Sequence, residues 1–427
     1  MLFTYRGFDF VHPLPGYGME LLFLVISISA ACIMVGFRYR IATAIFFLSF
    51  TYMFLLDQSW YLNHYYLVCL IGFLLLFIPA HQACSIDALR SKTIQSDSTP
   101  RWVLWLLRLQ FSIPYFFGGL AKLNPDWFRG EPMGTWLARK TDFPLVGQFF
   151  TEPWCVGMFS YGGILFDLLV VPLLLWKRTR IAALVFSLMF HTANHFLFQI
   201  GIFPWMMLVV TFLLFPPFDL ARLRFWKKTA QSADEPIVGQ VGLKLPAFGK
   251  LMLFGFIALQ LFLPFRHFLY PGDVALSREG HCFAWRMKLN KRLFDLKLNV
   301  HHADGRVEPV KLHQWVTRAQ FKGFRNLDQI QQLAKAIRKH HEQIDKKPVQ
   351  VKGTAMVTVN DRKPFLLIND DVDLSRTPNS LFAAKWIETH PDRAAARTKN
   401  AKPVPAAFFQ QPSVNQHIAK SSSEVRQ

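Results

Sequence analysis

The chain has 427 residues, of which 52% are hydrophobic and 15% aromatic. This composition is too apolar for a soluble domain of this size, since several stretches approach the ~20 apolar residues that a membrane-spanning helix needs. The net charge of +20 would fit a nucleic-acid-binding protein, but the basic residues lie mostly between the apolar stretches and in the last third of the chain, so no nucleic-acid partner is expected.

Eight apolar segments follow one another and predict a polytopic α-helical membrane bundle of about eight helices over residues 1–270. They cover residues 19–36, 41–56, 62–80, 103–120, 159–176, 181–198, 201–215 and 251–269. The first segment lacks a small-residue cleavage site and leads directly into the second, so we expect a retained helix and not a removable signal peptide. A polar stretch with glycines, residues 232–246, is typical of a loop.

Basic residues concentrate in every second connection between these segments. They are Arg38 and Arg40 after the first, Arg90, Lys92 and Arg101 after the third, Lys177, Arg178 and Arg180 after the fifth, and Arg222, Arg224, Lys227 and Lys228 after the seventh. The positive-inside rule places these connections in the cytoplasm. It places residues 1–18, the loop after the fourth segment and everything beyond residue 269 outside the cytoplasm.

Beyond residue 271 the composition changes to that of a soluble domain. Apolar and polar residues alternate over residues 294–300, and Asp304-Gly305 offers a tight turn into residues 307–312, which predicts a β-hairpin. Helical spacing over residues 327–337 follows a candidate N-cap at Asn326, and residues 349–359 return to a strand-like pattern. We predict a small extracytoplasmic α+β or β-rich domain over residues 271–391 and a disordered tail over residues 392–427.

Three polar side chains lie where apolar segments begin or end. Asn63 and His64 open the third segment and Lys122 closes the fourth, and the loop charges place all three at the outer side of the membrane. A polar group in a membrane needs a partner, a cavity or a function. These residues are therefore candidates for one common site.

Lys122 ends a helical stripe with Tyr115, Gly118 and Gly119, whose small residues let a ligand or another backbone approach closely. One interpretation is that the lysine extends to the lipid headgroups, as terminal lysines commonly do. The other is that it lies in a dry cavity without a counter-ion, where the neutral amine is favoured and can act as a general base.

His191, Asn194 and His195 lie in the outer half of the sixth segment and can join the same cavity. His191 and His195 stand four residues apart, a spacing that metal ligands also use, but no carboxylate lies beside them and no metal site is expected. The alternative is that both histidines bond to neighbouring helices. Asp167, in the middle of the fifth segment, also needs a partner, for which Arg108 or a hydroxyl group is the candidate.

Many of these residues belong to a longer series of motifs. In the membrane region the series includes Asp57, Trp60, Asn63-His64, Leu107-Arg108, Gln110, Tyr115-Phe116, Gly119, Lys122-Leu123, Asp126-Trp127, Phe190-His191 and Asn194. Further along it includes Gln260, Pro264, His267, Trp285, Asp304-Gly305-Arg306 and Asn360-Asp361-Arg362. With its order and spacing, the series resembles the vitamin K-dependent gamma-glutamyl carboxylase family, within the wider group of HTTM-domain membrane proteins.

The resemblance implies that a lysine deprotonates reduced vitamin K, the hydroquinone, which reacts with dioxygen and becomes the epoxide. The strong base formed on the way removes a γ proton from a peptidyl glutamate, and the carbanion adds carbon dioxide. By position, Lys122 matches the family's base, while Asn63 and His64 match residues that hold the quinol or stabilise developing charge. The quinol-binding residues that it implies are Tyr115, His191 and Asn194. The implied co-substrates are the hydroquinone, dioxygen and carbon dioxide, with no metal or biotin, and the implied partners are the lipid membrane and a glutamate-containing peptide or protein.

The chain departs from the family pattern in three ways. It starts after the position of the family's first membrane helix, and its extracytoplasmic part is shorter than in animal members. The family's disulfide has no evident counterpart, since no cysteine precedes Cys32. The five cysteines, Cys32, Cys69, Cys84, Cys155 and Cys282, show no metal or redox spacing. We expect a bacterial homologue in an inner membrane, because the chain is short and has few cysteines to pair.

Two other functions stay open at this point. The chain can be a quinol epoxidase that does not carboxylate, or a non-enzymatic membrane binding or scaffold protein. A scaffold predicts that Asn63 and His64 point to helix partners and not into a cavity. A transporter is less favoured, because the sequence shows no evident internal repeat or paired broken helices.

Overall fold

Helices form the N-terminal region of the protein, and a small sheet domain follows them. The computed structural model describes residues 1–96, 99–198, 200–215, 246–324, 326–360, 362–378 and 383–388. The predicted tail, residues 232–245 of the predicted loop and the basic residues after the seventh segment lie outside these ranges.

Eight apolar helices account for most of the N-terminal region. They are α1 (Gly18–Val35), α2 (Tyr39–Leu55), α3 (Asn63–Leu75), α4 (Arg101–Lys122), α5 (Pro153–Leu175), α6 (Arg180–Phe198), α7 (Phe203–Leu214) and α8 (Ala247–Phe262). Among the described residues, five helices are long and apolar enough to cross a membrane: α1, α4, α5, α6, and α8 together with its 3-10 continuation Leu263–Leu269. The chain is therefore a multi-pass membrane protein.

The predicted count of about eight spanning helices is not confirmed. Helices α2, α3 and α7 have 17, 13 and 12 residues. At 1.5 Å per residue their lengths are roughly 18–26 Å, which falls short of the ~30 Å hydrocarbon core of a bilayer. Apolar stretches in the sequence extend past the ends of these helices. A run of hydrophobic residues does not mark the residue at which its helix stops, so the helix lengths could not be predicted from the sequence.

Among the described residues, five short helices lie in the connections. They are Ile86–Arg90, Pro125–Phe128, Met133–Leu137, Val274–Ser277 and Arg318–Lys322. The second of them begins almost directly after Lys122. The Asn124 side chain accepts the Trp127 backbone N–H at 3.1 Å, and Pro125 occupies the first helical position, where its missing N–H costs nothing. This cap fixes the chain at the end of α4.

The C-terminal domain is a four-stranded antiparallel sheet that shares one core with a long helix. The strands are β1 (Arg292–His302), β2 (Val307–Pro309), β3 (Val349–Val359) and β4 (Phe365–Ile368), in the order β2-β1-β3-β4, and the helix is α9 (Leu327–Asp345). Alternate residues of β3 and the helically spaced apolar residues of α9 are buried together. The predicted hairpin, helix and strand are confirmed.

The first residues of the chain contact the C-terminal domain. Arg6 Nε lies 2.7 Å from Asp328 Oδ1 in α9. Buried Asp57, which follows α2, accepts a hydrogen bond from Gln320 Nε2 at 2.9 Å. The N-terminal segment, the connection after α2 and the C-terminal domain therefore lie at the same end of the helical bundle, as the charge pattern predicts. Which compartment this end faces stays a prediction.

A second set of contacts fixes the C-terminal domain to the loop that follows Lys122. Asp126 is only 4% exposed, and its Oδ2 accepts from Asn360 Nδ2 at 2.9 Å and lies 2.7 Å from Arg362 Nη2. The other terminal nitrogen of Arg362 lies 2.5 Å from Asp273 Oδ2. A buried carboxylate needs such partners. We call Asp126, Asn360 and Arg362 the domain clasp.

Replacement of Asp126 by Ala is expected to loosen the clasp. Hydrogen bonds to charged groups contribute about 1.5–3 kcal/mol each, so the variant should unfold at a clearly lower temperature and be cleaved faster between the two domains by a protease. Thermal unfolding of the purified protein in detergent measures the first effect. Asp304→Ala is the matched control, because its carboxylate pairs with Arg306 at the exposed hairpin turn. An Asp126→Ala variant as stable as this control would contradict the role of the clasp.

Candidate active site

A cavity of about 130 Å³ lies between α4, α5, α6 and α7, and residues that follow α8 also line it. The polar groups in its wall are Tyr115, Lys122, Asp167, His191, Asn194 and Lys288. Much of the remaining wall is aromatic, with the rings of Trp127, Trp136, Phe159, Phe190, Phe198 and Phe203. An apolar pocket with a few convergent polar groups is the usual form of a small-molecule site. The aromatic wall suits a flat ring better than a charged ligand.

Lys122 is the last residue of α4, and its side chain is buried in this cavity and does not extend to the headgroups. Its Nζ lies 2.5 Å from Asp167 Oδ2 and 3.4 Å from the Gly163 carbonyl. The same nitrogen lies 5.4 Å from the centre of the Trp127 ring, within the range of a cation–π interaction. The lysine therefore has a counter-ion, which the sequence interpretation of an unpaired amine did not include.

Two glycines of α4 explain why the carboxylate reaches the amine. A Cβ atom on Gly119 would lie 2.7 Å from Leu168 Cδ2 and 3.1 Å from Asp167 Cβ, which real side chains do not tolerate without movement. A Cβ atom on Gly118 would lie 3.2 Å from Asp167 Oδ2. The predicted close approach to this glycine stripe is thus made by α5, and it brings the carboxylate of α5 to the end of α4.

Asp167 does not pair with Arg108, the candidate that the sequence suggested. Arg108 Nε and Nη2 donate to the Leu214 carbonyl at 3.1 and 2.9 Å, near the far end of α7. The guanidinium also lies over the rings of Trp105 and Phe215. It donates to a carbonyl in the last turn of a helix, where carbonyls lack an intrahelical N–H partner. The prediction failed because the sequence does not show which turns of α4 and α5 lie at the same depth.

Tyr115 and His191 form the second polar pair in the cavity. The tyrosine hydroxyl lies 2.8 Å from His191 Nε2 and 3.4 Å from Thr211 Oγ1, so it links α4 to α6 and α7. Both Tyr115 and His191 are buried. The pair offers a hydroxyl and an imidazole in the same cavity as the amine, in a place where water is largely excluded.

The other two polar residues of α6 turn to different partners. The Asn194 amide donates to the Phe190 carbonyl of its own helix at 2.9 Å, although its side chain lines the cavity. His195 Nδ1 accepts from Trp205 Nε1 at 3.1 Å. His191 and His195 thus bond to separate residues of neighbouring helices, as the alternative to a shared metal ion predicted.

Asn63 and His64 are not among the residues that line the cavity. Asn63 Oδ1 accepts from the Tyr61 hydroxyl at 2.9 Å, and that hydroxyl accepts the Phe283 backbone N–H at 2.8 Å. The His64 ring centre lies 6.2 Å from that of Phe203, and the Phe203 ring is part of the cavity wall. Of the six predicted site residues, the structure brings four together in the cavity wall, His64 lies near that wall through Phe203, and Asn63 does not line it. Their part in a reaction stays a prediction.

Two residues of the site come from the C-terminal region and were not foreseen. Met287 and Lys288 follow α8 and line the cavity, and Lys288 Nζ lies 5.5 Å from the centre of the Trp136 ring. They lie between α8 and β1, in a stretch without periodic pattern, so no sequence signal pointed to them. The C-terminal region therefore closes part of the cavity, so the helical region and the region after α8 both contribute residues to this site.

Two family models together match most of the chain. The HTTM domain model matches residues 1–219, and the model of the vitamin K-dependent gamma-carboxylase lumenal domain matches residues 246–393. The chain belongs to the vitamin K-dependent gamma-carboxylase family. The resemblance inferred from the sequence is thereby confirmed. No solved structure matches the chain significantly.

The cavity of this gamma-carboxylase family member is suited to acid–base chemistry on a flat apolar molecule. The Lys122 nitrogen and one oxygen of the Asp167 carboxylate lie 2.5 Å apart, so a proton can pass from one to the other. Once its own proton has passed to the carboxylate, the amine can take a proton from a bound molecule, and the ammonium group then balances the negative charge left on that molecule, which is essential in a medium of low dielectric constant. The aromatic rings keep water out and strengthen these interactions.

Replacement of Tyr115 by Phe is expected to weaken both the fold and ligand binding at this site. The change removes the hydroxyl beside buried His191, and a buried polar group that loses its partner costs about 1–3 kcal/mol. We expect lower thermal stability and weaker binding of a quinol analogue, measured by thermal shift and calorimetry. Tyr161→Phe is the control, since that ring is 49% exposed and lies outside the cavity. Equal effects of the two substitutions would contradict a specific role for Tyr115.

Proposed function

We propose that this protein uses reduced vitamin K and dioxygen to carboxylate glutamate side chains of a peptide or protein. Membership of the gamma-carboxylase family supports carboxylation in general. The observation that carries the specific proposal is the buried pair of Lys122 and Asp167 in a cavity with aromatic walls. In this proposal Lys122 is the catalytic amine, Asp167 is its charge partner, and the aromatic wall binds the quinol ring.

Lys122 is the proposed base that takes the proton from a hydroxyl group of the hydroquinone. Its own proton first passes to the Asp167 carboxylate, so that the neutral amine can accept this one, and the resulting ammonium group balances the charge of the deprotonated hydroquinone. Oxidation of the hydroquinone by dioxygen to the epoxide supplies the energy and the stronger base that removal of a glutamate γ proton requires. The chain's own residues bind, orient and deprotonate, and they exclude water from the site.

The C-terminal region is the proposed binding partner of the acidic peptide. Lys288 brings a cation from that region into the cavity wall, where it can attract a glutamate carboxylate. Since the C-terminal domain, the N-terminal segment and the end of α4 lie at one end of the bundle, the peptide would reach the site from that end. We propose that this end faces outward from a bacterial inner membrane.

Chromatography of both products tests the proposal. The purified full chain in detergent is supplied with vitamin K hydroquinone, dioxygen, bicarbonate and a glutamate-containing peptide, and the epoxide and the carboxylated peptide are quantified. The two products are expected to appear together. Epoxide without carboxylated peptide would restrict the function to quinol epoxidation, and the absence of both products would refute the proposal.

One observation favours a second candidate, a membrane protein that binds a lipid or quinone without chemistry. Asn63 bonds to Tyr61 and does not line the cavity, which is the arrangement that the scaffold interpretation predicts. Oxygen uptake distinguishes the two functions. A scaffold consumes no oxygen with any quinol, whereas the proposed enzyme consumes oxygen only when its hydroquinone is present.

A further inference from the structure

Three metal-ligating side chains meet in the C-terminal domain, away from the cavity between the helices. His302 is the last residue of β1, and His341 and Asp345 lie one turn apart near the end of α9. One ligand atom of each lies within 4.8 Å of the other two. We call these three residues the histidine cluster. Local sequence spacing did not reveal it, because His302 is about 40 positions from the other two.

The histidine at the centre of the cluster has an unsatisfied ring nitrogen. The His302 side chain is only 5% exposed, and its Nδ1 lies 2.8 Å from Asp345 Oδ2. Its Nε2 is buried and has no hydrogen-bond partner among the described residues, with Glu308 Oε2 the near carboxylate at 3.6 Å. Buried polar atoms are almost always satisfied. Asp345 Oδ2, which faces Nδ1, is likewise buried and has no hydrogen-bond partner among the described residues, so the nitrogen and the oxygen are close together without a hydrogen bond, as two ligands of one ion would be.

A cleft beside the cluster gives an ion access to it. Its volume is about 540 Å³, and its walls include His302, His341 and Asp345 together with Glu308 of β2. Arg306 also lines the cleft, but its guanidinium lies 3.3 Å from the Asp304 carboxylate, which offsets its charge. A cation can thus enter from solvent and meet two imidazoles and one or two carboxylates.

We propose that the histidine cluster binds a divalent transition-metal ion of the zinc type. Imidazole nitrogen suits Zn²⁺ and its neighbours in the first transition series, whereas Ca²⁺ and Mg²⁺ prefer sites made of oxygen. Tetrahedral zinc with bonds of about 2.0–2.1 Å brings its ligand atoms to within roughly 3.3–3.5 Å of one another. Rotation of the half-buried His341 side chain closes the remaining distance, and Glu308 or water completes the four ligands.

The ion would join two elements that are far apart in the sequence. His302 lies at the end of β1, where the chain turns into β2. His341 and Asp345 lie in the last turns of α9, which faces this end of the hairpin. Binding therefore stabilises the hairpin against the helix. The site is structural and lies in a different part of the fold from Lys122, so the reaction of the membrane cavity does not depend on it.

Metal titration of the full chain tests the site. The protein is purified in detergent without a polyhistidine tag, treated with a chelator, and titrated with Zn²⁺ in competition with a chromophoric indicator. One equivalent is expected to bind, to raise the Tm, and to be unaffected by excess Mg²⁺. Co²⁺ in its place should give the visible absorption of a site with nitrogen and oxygen ligands.

Four single substitutions locate the ion. His302→Gln and His341→Ala are expected to weaken Zn²⁺ binding at least about tenfold. Loss of a direct metal ligand should lower the affinity by more than loss of a residue that only hydrogen-bonds to a ligand. His301→Ala and His340→Ala are matched controls, because each removes a neighbouring histidine outside the cluster. Chelator-treated variants with unchanged Tm show that folding is intact. Absence of saturable binding, or equal weakening by controls and cluster variants, would overturn the proposal.

Discussion

Lys122→Ala is expected to abolish epoxide formation in the purified protein. The amine is the proposed base of the first step, and loss of a general base reduces rates by about 10²–10⁴-fold. Chromatography of the epoxide with saturating hydroquinone measures the effect. Lys140→Ala is a matched control, because this lysine lies in the loop after α4 and not in the cavity wall.

Lys122→Arg also tests whether Lys122 is the base, and it keeps the positive charge at this position. An alanine at this position leaves Asp167 buried without its partner, so a loss of activity can follow from a damaged fold. Arginine keeps a positive charge beside the carboxylate, yet a guanidinium group does not give up its proton in proteins. The variant should therefore remain folded and be inactive. Epoxide formation at the unaltered rate by a folded Lys122→Arg protein would show that the base is another group.

The sequence predicted the soluble part of the fold better than the membrane part. In the C-terminal domain each element buries one face, so its period appears directly in the sequence, as in the alternation along β3 and the spacing of Leu327, Ile330 and Leu333 in α9. A membrane helix is apolar on every side, because lipid covers what the protein does not. Helices such as α3 thus show neither their ends nor their packed face in the sequence.

In the candidate site, the sequence identified the polar residues better than it identified their partners. Lys122, Tyr115 and His191 were identified because a polar group in an apolar run is conspicuous whatever its partner. Asp167 was conspicuous for the same reason, but its partner depends on the depth at which α4 and α5 meet. That depth follows from Gly118 and Gly119, and small residues permit many alignments. Sequence reasoning therefore finds the members of a buried pair more readily than the pairing.

Asp167→Leu is expected to cause the largest loss of stability among the substitutions in the cavity. Removal of one partner from a buried ion pair leaves an uncompensated charge and costs about 3–5 kcal/mol. Lys122→Met should have a comparable effect, since it strands the carboxylate. Replacement of both partners together leaves no buried charge, so the double variant Lys122→Met with Asp167→Leu should be much more stable than the sum of the single changes implies.

Thermal unfolding of the four proteins in this cycle measures the coupling between the two residues. Gln110→Leu is the control on the same helix, because its buried amide has no hydrogen-bond partner among the described residues and its loss should be neutral or stabilising. Strictly additive changes in the cycle would contradict a direct pair. A stable but inactive double variant would show that the pair is retained for its chemistry, since an apolar pair of similar volume supports the fold without it.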